Sequence, residues 1–304
     1  MDSILKDEEF KQEFKQELKK NRTKKIVTMV ISLALIIGGI ITMILLHLSF
    51  YNMTIGFVVI IAGLIFLGVS AVYFYFDKNS IVDRFMKDFK AKTDIEYFGE
   101  NLSTPGWVID KEFLLKNTPT EKEWDEAKIS GNYEGYSGGV HFSAANVTLI
   151  GDKRKSDLSV DNITDTEKYD AFDGVFISLE TKEKAESDFL LCFKKKMGGD
   201  VNPLQGDLSD QYTIWADDPE FGKKFASRYE KLLRRLYEEN RYTPHIRYVG
   251  NKLNIGIPTL DIRFRAINGK TDINDIDTFR DSYEKSLKLV KNTIDIVREE
   301  TDLL

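Results

Sequence analysis

The sequence predicts an α+β protein in which a helical hairpin precedes a domain with an antiparallel sheet packed by amphipathic helices. Residues 26–76 contain no Asp, Glu, Lys or Arg, which is typical of helices surrounded by lipid. After this run, apolar and polar residues alternate in short stretches separated by Gly and Pro, a pattern that indicates strands and turns. Two later stretches space their apolar residues by three and four positions, which predicts helices.

Residues 1–25 predict an amphipathic cytoplasmic helix. Phe10, Phe14 and Leu18 recur at every fourth position among charged residues, so they form one apolar stripe on a helix. We expect this stripe to lie on a membrane surface or to pack against the C-terminal domain.

The charge-free run predicts two transmembrane helices, at 26–50 and 55–76, joined by a short loop at 51–54. About 20 apolar residues cross a bilayer core, and each segment meets that length. The alternatives are a cleavable signal peptide, which would have a shorter apolar core and a cleavage site, and a buried core hairpin. Small residues such as Gly39 and Gly56 favour close packing of the two helices, or dimerisation.

Basic residues flank the hairpin on both sides. Arg22, Lys24 and Lys25 precede it, and five Lys and Arg residues occur between 77 and 92, whereas the loop has none. Because Lys and Arg are retained on the cytoplasmic side, both termini are predicted to be cytoplasmic. Residues 77–92 are predicted to form a juxtamembrane helix.

The C-terminal part predicts a cytosolic α+β domain at 93–260, followed at 261–304 by an amphipathic helix that packs on it. Glycines at 135, 138, 139 and 250 predict hairpin turns. The polar stretch 151–169 has no periodicity and predicts an exposed loop. Strands are predicted at 107–109, 128–133, 140–149, 171–179, 189–195, 211–216, 246–249 and 252–257, and a continuous helix at 219–239.

Four segments of the C-terminal part occur in the order GNYEGYSGGVHFSAANVTL, FDGVFISLE, YTIWADDPEFGKKFASRYEKLL and IRYVGNKLNIGIP. Together with the apolar hairpin, they resemble the bacterial domain-of-unknown-function 3137 family. The resemblance implies two N-terminal transmembrane helices and a cytosolic α+β domain in the plasma membrane of a bacterium. It implies no known activity and no catalytic or ligand-binding residues.

Charge limits the classes of partner. Residues 1–25 carry a net charge of +2 and residues 26–76 none, so within the overall −6 the remainder carries −8. Nucleic-acid binding needs a basic surface, and we therefore expect no nucleic-acid partner. The predicted partners are the lipid bilayer and a membrane or cytosolic protein.

The sequence offers few candidates for chemistry. Cys192 is the single cysteine, which we interpret as a small buried hydrophobe in a reducing compartment; a nucleophilic cysteine is the alternative. The histidines at 47, 141 and 245 form no His or Cys/His spacing motif, so we expect no zinc site. No phosphate-binding or nucleophile-elbow motif is present, and no cofactor or catalytic residue is predicted.

The sharpest local signal is the acidic pair Asp217 and Asp218. With Glu220 and His245, this pair is a candidate for binding a divalent cation or for acid/base chemistry. The alternative is ordinary capping of a helix that begins at Pro219.

Three functions agree with these patterns. The first is a membrane-anchored, non-enzymatic binding or scaffold module. The second is a membrane-bound hydrolase or transferase that uses the carboxylates near Asp217 and Asp218. The third is an accessory subunit of a larger membrane complex.

Overall fold

The chain divides into two units, which we describe separately. Unit 1 comprises Met1–Phe89 and Asp272–Asp277, and unit 2 comprises Lys90–Thr271 and Thr278–Leu304. The computed structural model describes residues 2–45, 50–103, 108–154, 166–193, 212–216, 218–240, 244–259 and 276–304.

Two long helices form unit 1. Helix α1 spans Asp2–Leu45, and helix α2 begins at Phe50 and runs to Phe98, beyond the limit of unit 1. Both are long and apolar enough to span a membrane. Their backbones meet at a pair of glycines, because a Cβ atom added at Gly39 would lie 2.8 Å from the Gly56 carbonyl oxygen. Gly39 and Gly56 therefore pack within the hairpin, as one of the two alternatives predicted.

The prediction of a loop at 51–54 is wrong, since these residues lie inside the first turns of α2. The connection between the helices falls at 46–49, outside the described residues. The first turn of a helix has backbone N–H groups without an intrahelical partner. Polar residues such as Asn52 and Thr54 are therefore compatible with a helix start as well as with a turn.

The N-terminal apolar stripe packs on protein within unit 1. The ring of Phe85 on α2 lies 5.1 Å from the ring of Phe10 and 5.3 Å from that of Phe14, both in edge-on contact. Phe14 is completely buried. The amphipathic N-terminus is thus the first part of α1, and its apolar face covers the part of α2 that follows the apolar run.

Unit 2 contains a seven-stranded sheet in which all neighbouring strands are antiparallel. Their order is β1-β2-β3-β7-β6-β4-β5. The α+β class and the antiparallel sheet are confirmed. The strands are β1 (Glu126–Ser137), β2 (Val140–Arg154), β3 (Thr166–Glu180), β4 (Phe189–Phe193), β5 (Tyr212–Ala216), β6 (His245–Val249) and β7 (Lys252–Pro258).

Helices cover both faces of the sheet. One face of β2 and β3 packs against α3 (Lys111–Asn117) through a core that includes Leu114, Phe172 and Phe176. On the other face, Phe189 of β4 contacts Phe225 of α4 (Pro219–Arg228), with ring centroids 4.6 Å apart. The remaining helices are α5 (Glu230–Asn240) and α6 (Ile276–Glu300).

Several predicted boundaries were wrong. The loop predicted at 151–169 contains the end of β2 and the start of β3, which stay paired as far as Arg154 and Thr166. Backbone pairing extends these strands where the side-chain pattern gives no signal. The helix predicted at 219–239 divides at Tyr229. Residues 108 and 109 of the strand predicted at 107–109 are not in a strand, and Trp107 lies outside the described residues.

A buried hydrogen bond ties α2 to α6 within unit 2. The Tyr283 hydroxyl donates to Asp94 Oδ1 at 2.5 Å, and the Leu102 N–H donates to Asp94 Oδ2 at 3.3 Å. Burial raises the pKa of Asp94 above its ordinary value, although both hydrogen bonds oppose that change. The bond from Tyr283 therefore stabilises a carboxylate that is costly to bury.

Candidate metal centre

Cys192 and His245 face each other across two neighbouring strands. The pairing of β4 with β6 sets Leu191 opposite Ile246, so the next position of the same register sets Cys192 opposite His245. Side chains opposite each other in an antiparallel pair point to the same face. Phe189 points toward α4, and side chains alternate along a strand. Cys192 therefore points to the other face, which carries α3.

The segment from Thr118 to Asp125 brings Glu121 to this pair. Its turns are fixed by side chains: the Trp124 indole N–H donates to Thr118 Oγ1 at 3.2 Å, and the Lys122 N–H donates to Thr120 Oγ1 at 3.2 Å. Thr120 Oγ1 also donates to the Ala171 carbonyl of β3 at 3.3 Å. The loop is thereby attached to the sheet beside the Cys–His pair.

The imidazole of His245 is oriented by a backbone carbonyl. Its Nδ1 lies 2.7 Å from the Pro119 oxygen, and because a carbonyl oxygen only accepts, Nδ1 carries the proton. The other ring nitrogen, Nε2, then carries a lone pair that is available to a metal ion. A hydrogen bond from the ring nitrogen that does not bind the metal is characteristic of histidine ligands.

A glycine makes room for this contact. Gly256 of β7 pairs with His245, and a Cβ atom there would lie 2.5 Å from Pro119 Cβ. Pro119 can therefore approach the sheet closely enough to hold the histidine.

The three side chains present a compact set of metal donors. Cys192 Sγ and one ligand atom each from Glu121 and His245 all lie within 4.8 Å of one another. A tetrahedral zinc ion with bonds of about 2.0–2.3 Å separates its ligand atoms by roughly 3.3–3.7 Å. Rotations that move these side chains about 1 Å closer would complete three of four zinc bonds. Thiolate, imidazole and carboxylate are all zinc ligands.

The protonation states follow from burial and from the hydrogen bond between Cys192 and Glu121. Burial raises the pKa of the Cys192 thiol far above its ordinary value, and the Glu121 carboxylate that accepts its proton raises it further. Burial alone would raise the pKa of Glu121, but the hydrogen bond from the thiol, a backbone hydrogen bond and the nearby His245 and Lys122 together lower it. Burial lowers the pKa of His245. At neutral pH the site therefore holds a thiol, a carboxylate and a neutral imidazole.

This arrangement is unsuited to a cysteine nucleophile. Such a nucleophile needs a lowered thiol pKa, usually beside an imidazolium or another cation. Cys192 has a raised pKa and donates to a carboxylate, and only 1% of its surface is exposed. A bound metal ion would supply the missing positive charge, because it would displace the thiol proton and be held by the Cys192 thiolate.

The structure does not group Asp218 and Glu220, two of the predicted acidic candidates, with His245. Asp218 is the N-cap of α4, and its carboxylate accepts from the Glu220 N–H at 3.0 Å. The Glu220 side chain is 69% exposed and pairs with Lys223 at 2.7 Å. Asp217 lies outside the described residues. His245 groups with Glu121 and Cys192, and the structure gives Asp218 the capping role that was the alternative.

Sequence reasoning missed the grouping of Glu121, Cys192 and His245. Cys192 lies 53 residues before His245 and 71 residues after Glu121, so no ligand-spacing motif exists. The available signal was that Cys192 lies in a predicted strand and that His245 directly precedes another. Their pairing depends on the order β6-β4 in the sheet, which the side-chain pattern does not encode.

No family model, no curated protein and no solved structure matches the chain.

Proposed function

We propose that the chain is a membrane-anchored zinc-binding protein in which unit 2 holds one Zn²⁺ ion with Glu121, Cys192 and His245. The observation that carries the proposal is the cross-strand pair of Cys192 and His245, with Nδ1 of the histidine already committed to the Pro119 carbonyl. Three protein ligands leave one coordination position for water or for a donor atom of another molecule. Within this proposal the open position accepts a donor atom of a partner, and the protein acts as a non-enzymatic binding module.

The properties of α1 and α2 support the membrane anchor. Only 11% of the apolar window of each helix is buried, whereas a core helix of a soluble protein would be mostly covered. Polar side chains in these helices bond to their own backbone: Ser32 Oγ donates to the Thr28 carbonyl at 2.9 Å, and Ser70 Oγ to the Phe66 carbonyl at 2.5 Å. Such bonds suit lipid, where water cannot satisfy a polar group.

The flanking charges support an orientation with both termini in the cytoplasm. In a Cys192→Ser background, a cysteine at Asn52 should react with a membrane-impermeant maleimide added to intact cells, and one at Asn240 should not. Labelling of Asn240→Cys in intact cells would refute this topology.

Zinc would stabilise the folded state of unit 2, because it would connect segments that are distant in sequence. Bonds to Cys192, His245 and Glu121 link β4, β6 and the segment before β1. A ligand that binds only the folded state stabilises it by about 2.7 kcal/mol at a concentration one hundred times its dissociation constant. Zinc should therefore raise the unfolding temperature of the full chain.

The test is a zinc titration of the full-length protein in detergent against a competing chelator. Wild-type protein should bind one equivalent, and Cys192→Ser and His245→Gln should bind at least 100-fold more weakly. Cys192→Ser is informative because a serine hydroxyl can still donate to Glu121 but is a poor zinc ligand. His141→Gln is the matched control, since His141 lies in the same sheet and contacts Glu134 at 2.8 Å.

The control should retain wild-type affinity. Wild-type affinity in Cys192→Ser, or an equal loss in His141→Gln and His245→Gln, would overturn the assignment.

A further inference from the structure

Unit 1 contains a polar cavity between α1 and α2 at the end of the apolar run. Its volume is about 110 Å³, and a single water molecule needs only about 10–15 Å³ of such space. Its polar lining comes from two turns of α1 and two turns of α2: Glu17, Lys20, Asn21, Lys24, Ser80 and Arg84.

The lining of the cavity suits an anion. Lys20, Lys24 and Arg84 contribute three positive charges, and Glu17 contributes one negative charge. Glu17 lies 3.9 Å from both Lys20 Nζ and Arg84 Nη2, beyond the 2.7–2.9 Å of a charge-assisted hydrogen bond. The cations are therefore held near one another without being neutralised, and the cavity keeps a net charge of +2.

The position of the cavity along the helices matches the level of lipid headgroups. At 1.5 Å per residue, Lys24 lies about 3 Å and Lys20 about 9 Å before the apolar run that begins at Ile26. Ser80 and Arg84 lie about 6 Å and 12 Å beyond its end at Phe76 on the same scale. The headgroup region of each leaflet is roughly 5–8 Å thick. If the run crosses the membrane, Lys24 and Ser80 therefore lie within the headgroup region. Lys20 and Arg84 lie just beyond it, and their long side chains can extend back to lipid phosphates.

We propose that this cavity binds the phosphate of an anionic phospholipid from the inner leaflet. The inference rests on the proposed membrane anchor and is independent of the zinc site. Lys20, Lys24 and Arg84 bind the phosphate oxygens, and the Asn21 and Ser80 side chains add neutral hydrogen-bonding groups. Basic cavities between helices at the membrane surface are suited to lipid phosphates, and an arginine contacts two phosphate oxygens at once.

The experiment is native mass spectrometry of the full-length protein in a neutral detergent, titrated with phosphatidylglycerol, phosphatidylcholine or inorganic phosphate. The test variant is Lys24→Gln/Arg84→Gln. The matched control is Arg22→Gln/Lys25→Gln, which removes the same charge near the same end of the apolar run from residues that do not line the cavity.

Wild-type protein should retain one phosphatidylglycerol molecule in preference to phosphatidylcholine. The test variant should bind phosphatidylglycerol at least tenfold more weakly, and the control should change by less than threefold. Equal losses in both variants would indicate a diffuse basic surface and would overturn the proposal. Displacement of the lipid by millimolar inorganic phosphate would also overturn it, because the free anion would then be the ligand.

Two further readouts separate this inference from the proposed function. Alkaline extraction of membranes tests the anchor alone, and zinc affinity tests unit 2 alone. A chain that resists extraction and binds zinc normally, but shows no difference between the test and control variants, would refute the lipid site and leave the rest intact.

Discussion

Substitution of Gly256 by alanine should weaken zinc binding although Gly256 is not a ligand. The added Cβ would lie 2.5 Å from Pro119 Cβ and 3.1 Å from the Phe172 ring, closer than atoms in contact allow. Pro119 must therefore move, and the bond from its carbonyl to His245 Nδ1, now 2.7 Å, must lengthen. Loss of a hydrogen bond behind a metal ligand typically costs 10–100-fold in affinity.

The same crowding should destabilise the fold. Added methyl groups in well-packed sites cost about 1–3 kcal/mol, and each kcal/mol lowers the unfolding temperature of a domain of this size by about 2–4 °C. Gly135→Ala is the matched control. Gly135 lies in the same sheet as Gly256, and its added Cβ would lie 2.6 Å from Leu102 Cδ2, away from Pro119.

The assay combines thermal unfolding in the presence of a chelator with zinc affinity by chelator competition. We expect both variants to lower the unfolding temperature and Gly256→Ala alone to lower the affinity for zinc by 10–100-fold. If Gly256→Ala is destabilised but binds zinc as tightly as wild type, the Pro119 carbonyl does not position the histidine, and the reasoning is refuted.

Two further predictions concern protons. The pKa of Cys192 is raised and those of Glu121 and His245 are lowered, so zinc binding at pH 7 should release one proton, from the thiol, and the affinity for zinc should rise about tenfold from pH 7 to 8. Calorimetry in two buffers of different ionisation enthalpy would measure the number of protons released. Release of no proton or of two protons would contradict this prediction. Tyr283→Phe should cost about 1.5–3 kcal/mol at neutral pH. Folding raises the pKa of Asp94, so the penalty for burying its charge is removed as pH falls through that raised value and the carboxyl becomes neutral. The cost of Tyr283→Phe should therefore shrink in acid. Chemical denaturation at several pH values would measure it, and an equal cost at every pH would contradict the prediction.

Local patterns predicted much of the fold. The lack of charge at 26–76 predicted two long apolar helices, and both are present. Gly138 and Gly250 lie in the predicted hairpin turns with positive φ, 57° at each, where glycine is favoured because it has no Cβ. The turn predicted at Gly135 is wrong, because Gly135 lies in β1 opposite Phe142. These signals depend on neighbouring residues, and a single sequence records them directly.

The candidate site depends on relations that no local pattern records. Cys192 is buried, as predicted for a small hydrophobe, but its partner is set by the adjacency of β4 and β6. Glu121 reaches the pair only because the segment before β1 is tied to β3 through Thr120. The capping of α4 by Asp218, in contrast, was available from the sequence because a cap concerns residues two or three positions apart.

X-ray absorption at the zinc edge of the full-length protein loaded with one equivalent of Zn²⁺ tests the central claim most directly. The proposed ligands predict one sulfur at about 2.3 Å and nitrogen or oxygen neighbours at about 2.0–2.2 Å. Because the chain has a single cysteine, the sulfur signal should disappear in Cys192→Ser. A spectrum with only nitrogen and oxygen neighbours, or with a sulfur neighbour that persists in Cys192→Ser, would contradict the site.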